Sequence, residues 1–377
     1  MIYLDNGATS KFKPKEVIKA VHGATLNSAN PGRSSHRDAV NCALTVYKTR
    51  EKLSNFVGAK GYNVVFTKNC TEALNLALTT IPRGARVVTT VCEHNSVLRP
   101  LYRLAREKGV KVVTLTPSIN GHVPPYRVEN ALKEDTYMFI CNHVSNVNGV
   151  TADIEQLGKI TAKRGVKFLV DGAQSIGHIP IDMNLSHIDM LALPCHKGLL
   201  DIQGLGALVF NDRVNLSPII LGGTGTNSES VNHPKDIPEA YESGTLPYPA
   251  IAGLNASIDY LNEHGRGIIN TISYLTHELI YGLKKIKGVT LYTPDNALTG
   301  VVSFNIHTLP SSSVSDILNE RYDIATRSGL HCAPLMHNHL KTLEQGTVRA
   351  SIGAGNTIRD IRALLYAVDK ISKMKIK

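Results

Sequence analysis

Two residues near the middle of the chain, Asp171 and Lys197, carry the first chemistry the sequence suggests. Asp171 closes the apolar run in F-L-V-D-G-A-Q-S. Lys197 follows the next apolar run, in M-L-A-L-P-C-H-K-G, 26 residues further on. An acid at the carboxyl end of a parallel strand faces the crevice where open α/β sheets bind ligands, so one α/β unit brings both groups to the same sheet edge. A carboxylate held against a pyridine nitrogen keeps that nitrogen protonated, an electron sink, while an amine captures an aldehyde. Pyridoxal phosphate carries both groups and needs such a pair. Either residue alone reads as a turn aspartate or a surface lysine; the spacing and placement of the two together favour the cofactor.

The remaining candidates also sit where strands end. The run N-V-V-F-T leads into Lys68-Asn69-Cys70-Thr71-Glu72. There Thr71, with Cys70 beside it, would offer a hydroxyl and backbone N–H groups to a phosphate at a helix N-terminus. A plain threonine N-cap is the bland alternative. His94, in C-E-H-N-S, follows the run 86–90 and could stack on a cofactor ring or pass protons. Asn146, in H-V-S-N-V-N-G, lies just beyond the run 137–140.

The segment R-S-G-L-H-C-A-P-L-M-H places Cys332 among turn residues, where a loop thiol can swing toward a bound substrate. Arg327 and His331 nearby would favour its thiolate. His331, Cys332, His337 and His339 are also zinc-ligand types, but the spacing lacks a second close pair, and no metal is expected. Arg349, in T-V-R-A-S, suits a bidentate grip on an α-carboxylate.

These residues need a scaffold, and the chain supplies one pattern for it. Between about 17 and 210, short apolar runs (64–67, 86–90, 111–115, 137–140, 166–170, 190–193, 207–210) alternate with helical patterns such as 72–80, 97–108 and 154–164. That rhythm predicts an α/β layer with a largely parallel sheet covered on both faces. After about 250 it changes to a long helical stretch (250–264, then 268–286), a strand over 301–306, and a closing helix capped by Thr357 and Asp360. The expected division is a large domain over 17–250 and a smaller α/β domain over 251–377 that takes in residues 1–16.

Composition narrows the function classes. The 377 residues include 41 Lys and Arg against 31 Asp and Glu, a formal net charge of +10. The basic residues are scattered, and the densest run, 370–377, has no interleaved aromatics, so a nucleic-acid groove is not expected. Six cysteines without a C-x-x-C pair suit free thiols in a reducing compartment. With no signal sequence and no membrane-length apolar run, the sequence reads as cytoplasmic with no membrane partner.

Taken together, the chain resembles fold-type I pyridoxal-phosphate enzymes of the class V aminotransferase group, specifically cysteine desulfurases and selenocysteine lyases. The resemblance runs nearly end to end, through Y-L-D-N-G-A-T, N-P-G-R, C-T-E-A-L-N, E-H-N, H-V-S-N, V-D-G-A-Q-S, H-K-G, E-S-G-T, R-S-G-L-H-C-A-P and V-R-A-S. The H-C-A-P-L form is similar to the type II desulfurases. The resemblance implies Lys197 as the cofactor-bearing lysine, Asp171 as partner of the ring nitrogen and Gln174 as partner of the phenolic oxygen. It implies that His94 stacks on the ring, that Thr71 and His196 hold phosphate, and that Thr245 reaches the phosphate of a neighbouring subunit in a homodimer. Arg349 and Asn146 would bind substrate carboxylate, and Cys332 would accept sulfur.

Two departures from that family predict weakened cofactor contacts. Pro194 and Cys195 stand where relatives carry a small hydroxyl residue and then glycine. Asp201-Ile202 stands where Gly-Pro is frequent, and an inward carboxylate would oppose phosphate. The expected reaction converts L-cysteine to alanine and leaves a persulfide on Cys332 for a sulfur-acceptor protein. A selenocysteine lyase acting on L-selenocysteine, or a degenerate partner protein with weak cofactor binding, are the alternatives on the same scaffold.

Overall fold

Runs of β-branched and apolar residues become strands and amphipathic segments become helices in the computed structural model, which describes residues 1–32, 34–118, 121–307 and 309–374. Arg33 of the N-P-G-R motif and the last three residues of the basic tail lie outside them. The chain opens with β1 (Ile2–Tyr3), α1 (Lys15–Leu26) and α2 (Arg37–Phe56). The α/β layer follows as β2 (Asn63–Thr67), α3 (Cys70–Leu78), β3 (Arg86–Thr90), α4 (Asn95–Lys108), β4 (Lys111–Leu115), α5 (Pro125–Ala131), β5 (Thr136–Asn142), α6 (Ile154–Lys163), β6 (Lys167–Asp171), β7 (Met190–Pro194) and β8 (Gly206–Phe210). The remainder comprises α7 (Tyr248–Lys285), β9 (Val289–Leu291), β10 (Val301–Ile306), α8 (Ser311–Tyr322), β11 (Ile324–Ala325), β12 (Arg327–Gly329), α9 (Pro334–His339), β13 (Thr347–Ser351) and α10 (Ile358–Ser372).

Seven strands form the main sheet in the order β2-β8-β7-β6-β5-β3-β4. The pairs from β4 to β7 are parallel, and β8 alone runs against its neighbours. The strand runs are apolar throughout because both faces are covered. Val64, Phe66, Phe139, Phe168 and Val170 face one core, while Val65, Met138, Ile140 and Leu169 face the other. After β3 the chain turns outward to β4 and then returns to the opposite side of β3 as β5. This switch of direction opens a crevice at the carboxyl ends of the strands.

A second, antiparallel sheet has the order β12-β13-β10-β9. Its core holds Leu4 together with residues from Ile272 to Ile371. Helix α7 joins the two regions. Its buried residues Ala250 to Leu261 pack on the main sheet's core, and Ile272 to Leu283 pack on the second. The long helical stretch expected over 250–264 and then 268–286 is one continuous helix of 38 residues, about 57 Å long at 1.5 Å per residue. The closing helix α10 carries the expected capping box between Thr357 and Asp360. No helix among the described residues is long and apolar enough to cross a membrane.

The lysine-bearing turn after β7 is packed backbone to backbone. A Cβ on Gly198 would lie 2.0 Å from the carbonyl oxygen of Ile176, so only glycine fits. Cys195 turns its side chain into the core and uses no left-handed backbone, so glycine is not required at that position here. Asp201, expected as a threat to a phosphate, is instead fully buried beside Gly253 of α7. Neither of its oxygens makes a well-formed hydrogen bond among the described residues, and burial pushes its carboxyl up to about 7, with the nearby Ile202 backbone N–H and then Lys13 pulling it partly back.

Two predictions follow from this packing. Gly206 of β8 lets the first turn of α3 approach the sheet, since a Cβ there would sit 2.5 Å from the Asn69 carbonyl carbon and 2.8 Å from the Cys70 nitrogen. Gly206→Ala should cost about 1–3 kcal/mol, read as a lower urea midpoint. Asp201 binds a proton more tightly folded than unfolded, so stability falls as pH rises from about 4 to about 7 and stays low above that. Asp201→Asn should raise the urea midpoint at pH 8, and the advantage should vanish below about pH 4, where the carboxyl is protonated folded and unfolded alike.

Candidate active site

A cavity of about 170 Å³ lies at the carboxyl edge of the main sheet, and its walls come from both regions of the chain. Asp171 ends β6, Lys197 follows β7, Asn142 ends β5, and Asn146 follows it. Cys70 and Thr71 open α3, His94 caps α4, and Arg327, His331 and Arg349 come from the second sheet and its loop.

Asp171 is buried, and burial raises its carboxyl above the ordinary aspartate range. Its Oδ1 accepts from the Ala173 backbone N–H at 2.9 Å and from the Cys70 thiol at 3.7 Å. Both bonds fall on one oxygen, so Oδ2 is the atom left for a ligand. Lys197 shares the cavity, where burial lowers its affinity for a proton. Gln174 lines the same wall and donates to the carbonyl of Gly7 at 2.9 Å.

The helix N-terminus is built differently from the bland alternative. Asn69, not Thr71, is the N-cap, accepting from the Glu72 N–H at 3.0 Å. Thr71 is therefore free to turn its hydroxyl sideways to Ser96 Oγ at 2.8 Å. Ser96 in turn lies 2.9 Å from His94 Nδ1, and its backbone N–H donates to that same nitrogen at 3.0 Å. Nδ1 therefore acts as an acceptor, and the proton of the neutral ring sits on Nε2. Burial together with the Lys197 charge takes His94 down to about 4, so the ring is neutral at pH 7. His196 is likewise held near 4 by burial, with its Nδ1 at 3.0 Å from Thr9 Oγ1.

Arg349 is only 1% exposed, with Nη2 on Asp5 Oδ1 at 2.9 Å and Nη1 on the Asn146 carbonyl at 3.0 Å. Its Nε has no partner. Arg327 has no ion-pair partner among the described residues. Asn146 donates its amide to the His331 carbonyl at 2.6 Å, which ties the cysteine loop to the cavity wall. Cys332 itself is exposed, the other five cysteines being buried, and does not line the cavity. His331 and Cys332 both have left-handed backbone, with φ of 49° and 58°. The Asn95 N–H holds the Cys332 carbonyl at 2.7 Å.

The sequence-predicted residues Lys197, Asp171, Gln174, His94, Cys70, Thr71, His196, Asn146, Arg327 and Arg349 thus meet in one cavity. Thr245 does not: it is exposed and outside the cavity of its own chain. Sequence reasoning missed Ser96, Asn142, Asp5 and Glu93. Glu93 is fully buried, accepts from Thr90 Oγ1 at 2.6 Å and the Asn142 N–H at 3.2 Å, and is raised by burial to about 8. Its place beside His94 in E-H-N was the available signal. Nothing local marked Asp5, whose partner lies 344 residues away.

The residues present fit pyridoxal phosphate. A carboxylate, an amine, and a glycine-backed helix N-terminus converge on a space that the Arg and Lys charges make attractive to anions. Pro194 lines the cavity without a hydroxyl or N–H, as the departure from the family predicts.

Known proteins resemble this chain along nearly its whole length. A probable cysteine desulfurase of Methanothermobacter thermautotrophicus is 36% identical, over 99% of this chain and 95% of its own. One from Pyrococcus abyssi is 34% identical, over 99% of this chain and 94% of its own. The apo structure of a cysteine desulfurase from Thermococcus onnurineus superimposes with a TM-score of 0.90 at 33% identity, covering 99% of this chain and 94% of that one. The aminotransferase class-V sequence profile matches residues 2–364, and the chain belongs to that family.

Proposed function

We propose that this chain is a pyridoxal-phosphate-dependent cysteine desulfurase, which takes sulfur from L-cysteine onto Cys332 and releases L-alanine. The observation that carries this reading is the convergence of Lys197, Asp171 and the α3 N-terminus on one cavity whose wall continues, one residue from His331, into the exposed Cys332. The two cores joined by α7 support a large cofactor-binding domain over 17–250 and a small domain over 251–377 with residues 1–16. The exposure of Thr245 supports a homodimer in which it serves the neighbouring subunit's site.

When bound, pyridoxal phosphate supplies an aldehyde that joins an amine and a ring that draws electron density from Cα. Lys197 would carry it, Asp171 Oδ2 would face its ring nitrogen, Gln174 its phenolic oxygen, and the α3 N-terminus with Thr71 and His196 its phosphate. The chain's own part follows from its protonation states. Burial leaves Lys197 readier to exist as the free amine near neutral pH, so it can remove the Cα proton. His94 presents Nε2–H as a neutral donor over the site. Arg349 Nε and Arg327 offer donors to the substrate carboxylate. The Cys332 thiolate then attacks the substrate sulfur: an S–S bond forms, the substrate C–S bond breaks, and its electron pair is protonated to give alanine.

The acceptor that next takes the persulfide would meet Cys332 at the surface, where the exposed thiol needs no opening of the core. Lys197→Ala should abolish borohydride-fixed absorbance on the protein. Cys332→Ser should keep the bound cofactor's spectrum and lose alanine production from L-cysteine by at least 100-fold. Mass spectrometry after cysteine treatment should show one added sulfur on the peptide containing Cys332. Sulfur added elsewhere, or none with turnover intact, would overturn the reading.

A further inference from the structure

Among the three histidines that line the cavity, His331 stands apart. His94 Nδ1 is taken by Ser96 and His196 Nδ1 lies against Thr9. His331 is 3% exposed, yet neither Nδ1 nor Nε2 has a partner among the described residues. Leaving a buried donor and a buried acceptor both unpaired is costly, and a native fold retains such a group where something else completes it. The ring is also fixed in place. His337 packs edge-on with centroids 5.6 Å apart, and His337 is itself pinned through Nδ1 to Thr342 Oγ1 at 2.8 Å. The backbone is held from the other side by the Asn146 amide on the His331 carbonyl.

The charges around the ring define what completes it. The positive charges that act on His331 are those of Arg349 and Arg327, which line the same cavity, while the neighbouring rings of His94 and His337 are themselves held neutral by burial. Positive neighbours and burial keep the ring neutral, so one nitrogen bears a proton and can donate. An anionic group placed among Arg327, Arg349 and a neutral N–H is a carboxylate held by a mixed set of charged and uncharged donors.

We infer that His331 is a substrate-contacting residue, donating a hydrogen bond from its neutral imidazole to the carboxylate of the bound amino acid beside Arg327 and Arg349. This deepens the desulfurase reading and rests on it. It gives the residue before the sulfur-accepting cysteine a second task. Occupation of the carboxylate subsite and the position of Cys332 are joined through one peptide unit.

L-alanine tests this directly, because it carries the carboxylate but no sulfur to transfer. Its binding to the cofactor-loaded protein can be measured by calorimetry, with ethylamine, which lacks the carboxylate, as the reference. His331→Ala should weaken L-alanine binding about 10-fold and leave ethylamine binding unchanged. His331→Asn, which tolerates a positive φ and restores an N–H, should recover most of the loss. Equal L-alanine affinity in His331→Ala and the parent overturns the assignment, as does parallel loss of L-alanine and ethylamine binding. A parent protein that binds cofactor but neither L-alanine nor L-cysteine overturns the desulfurase reading itself, and the His331 assignment with it.

Discussion

The acid, the amine and the helix N-terminus of the cavity hang on the register of parallel strands whose carboxyl ends finish level with one another. Asn142 at the end of β5 pairs with Asp171 at the end of β6, and Asp171 pairs with Ala192, two residues before β7 ends. A parallel ladder points all of its chain exits to one edge, so loops far apart in sequence deliver their polar groups to the same place. The apolar faces that hold the ladder are dense and buried on both sides. A one-residue slip in β6 would turn Asp171 from the cavity into the opposite core.

Desolvation then decides which groups carry charge. The histidines of the cavity lose protons because burial and neighbouring cations both oppose the imidazolium form. Positive charge is concentrated in the two arginines and, in part, in Lys197. The arrangement separates two jobs that a cationic histidine would confuse: the arginines attract an anion, and the neutral rings supply directional hydrogen bonds. Arg349 remains charged although almost fully buried because Asp5 neutralises it and the Asn146 carbonyl takes a second N–H. The N-terminal segment is thereby tied to the second sheet at the point where the substrate carboxylate is expected.

Much of this was legible from residues alone, and the reason is physical. Strands buried on both faces leave unbroken apolar runs, so the strand ends and the polar residues just beyond them could be located within one or two positions. What failed to show was long-range compensation. The helical stretch expected over 250–264 and then 268–286 passes over Gly265 and Gly267, and each glycine weakens a helix by about 1 kcal/mol. Yet α7 runs through them, because its two halves are anchored in separate cores. Asp201 read as a possible neighbour of a phosphate because sequence distance from Lys197 is short, while the turn at Leu200, with φ of 56°, sends the carboxylate toward α7 instead. Ser96 and Asp5 matter through partners that no local pattern reveals.

The cysteine loop shows how the same long-range contacts can hold a strained nucleophile. Two consecutive non-glycine residues with left-handed backbone cost roughly 1–2 kcal/mol each. Two hydrogen bonds from the main-sheet side, Asn95 N–H to the Cys332 carbonyl and the Asn146 amide to the His331 carbonyl, offset that cost. Both donors belong to segments that also form the cavity, since Asn95 follows His94 and Asn146 supports Arg349. The strained turn sends neighbouring side chains in opposite directions, His331 into the cavity and Cys332 to the surface. In the proposed reaction Cys332 would have to reach a substrate sulfur inside, and a strained turn costs less to move. The conformation that presents the thiol outward is held by segments that also wall the cavity.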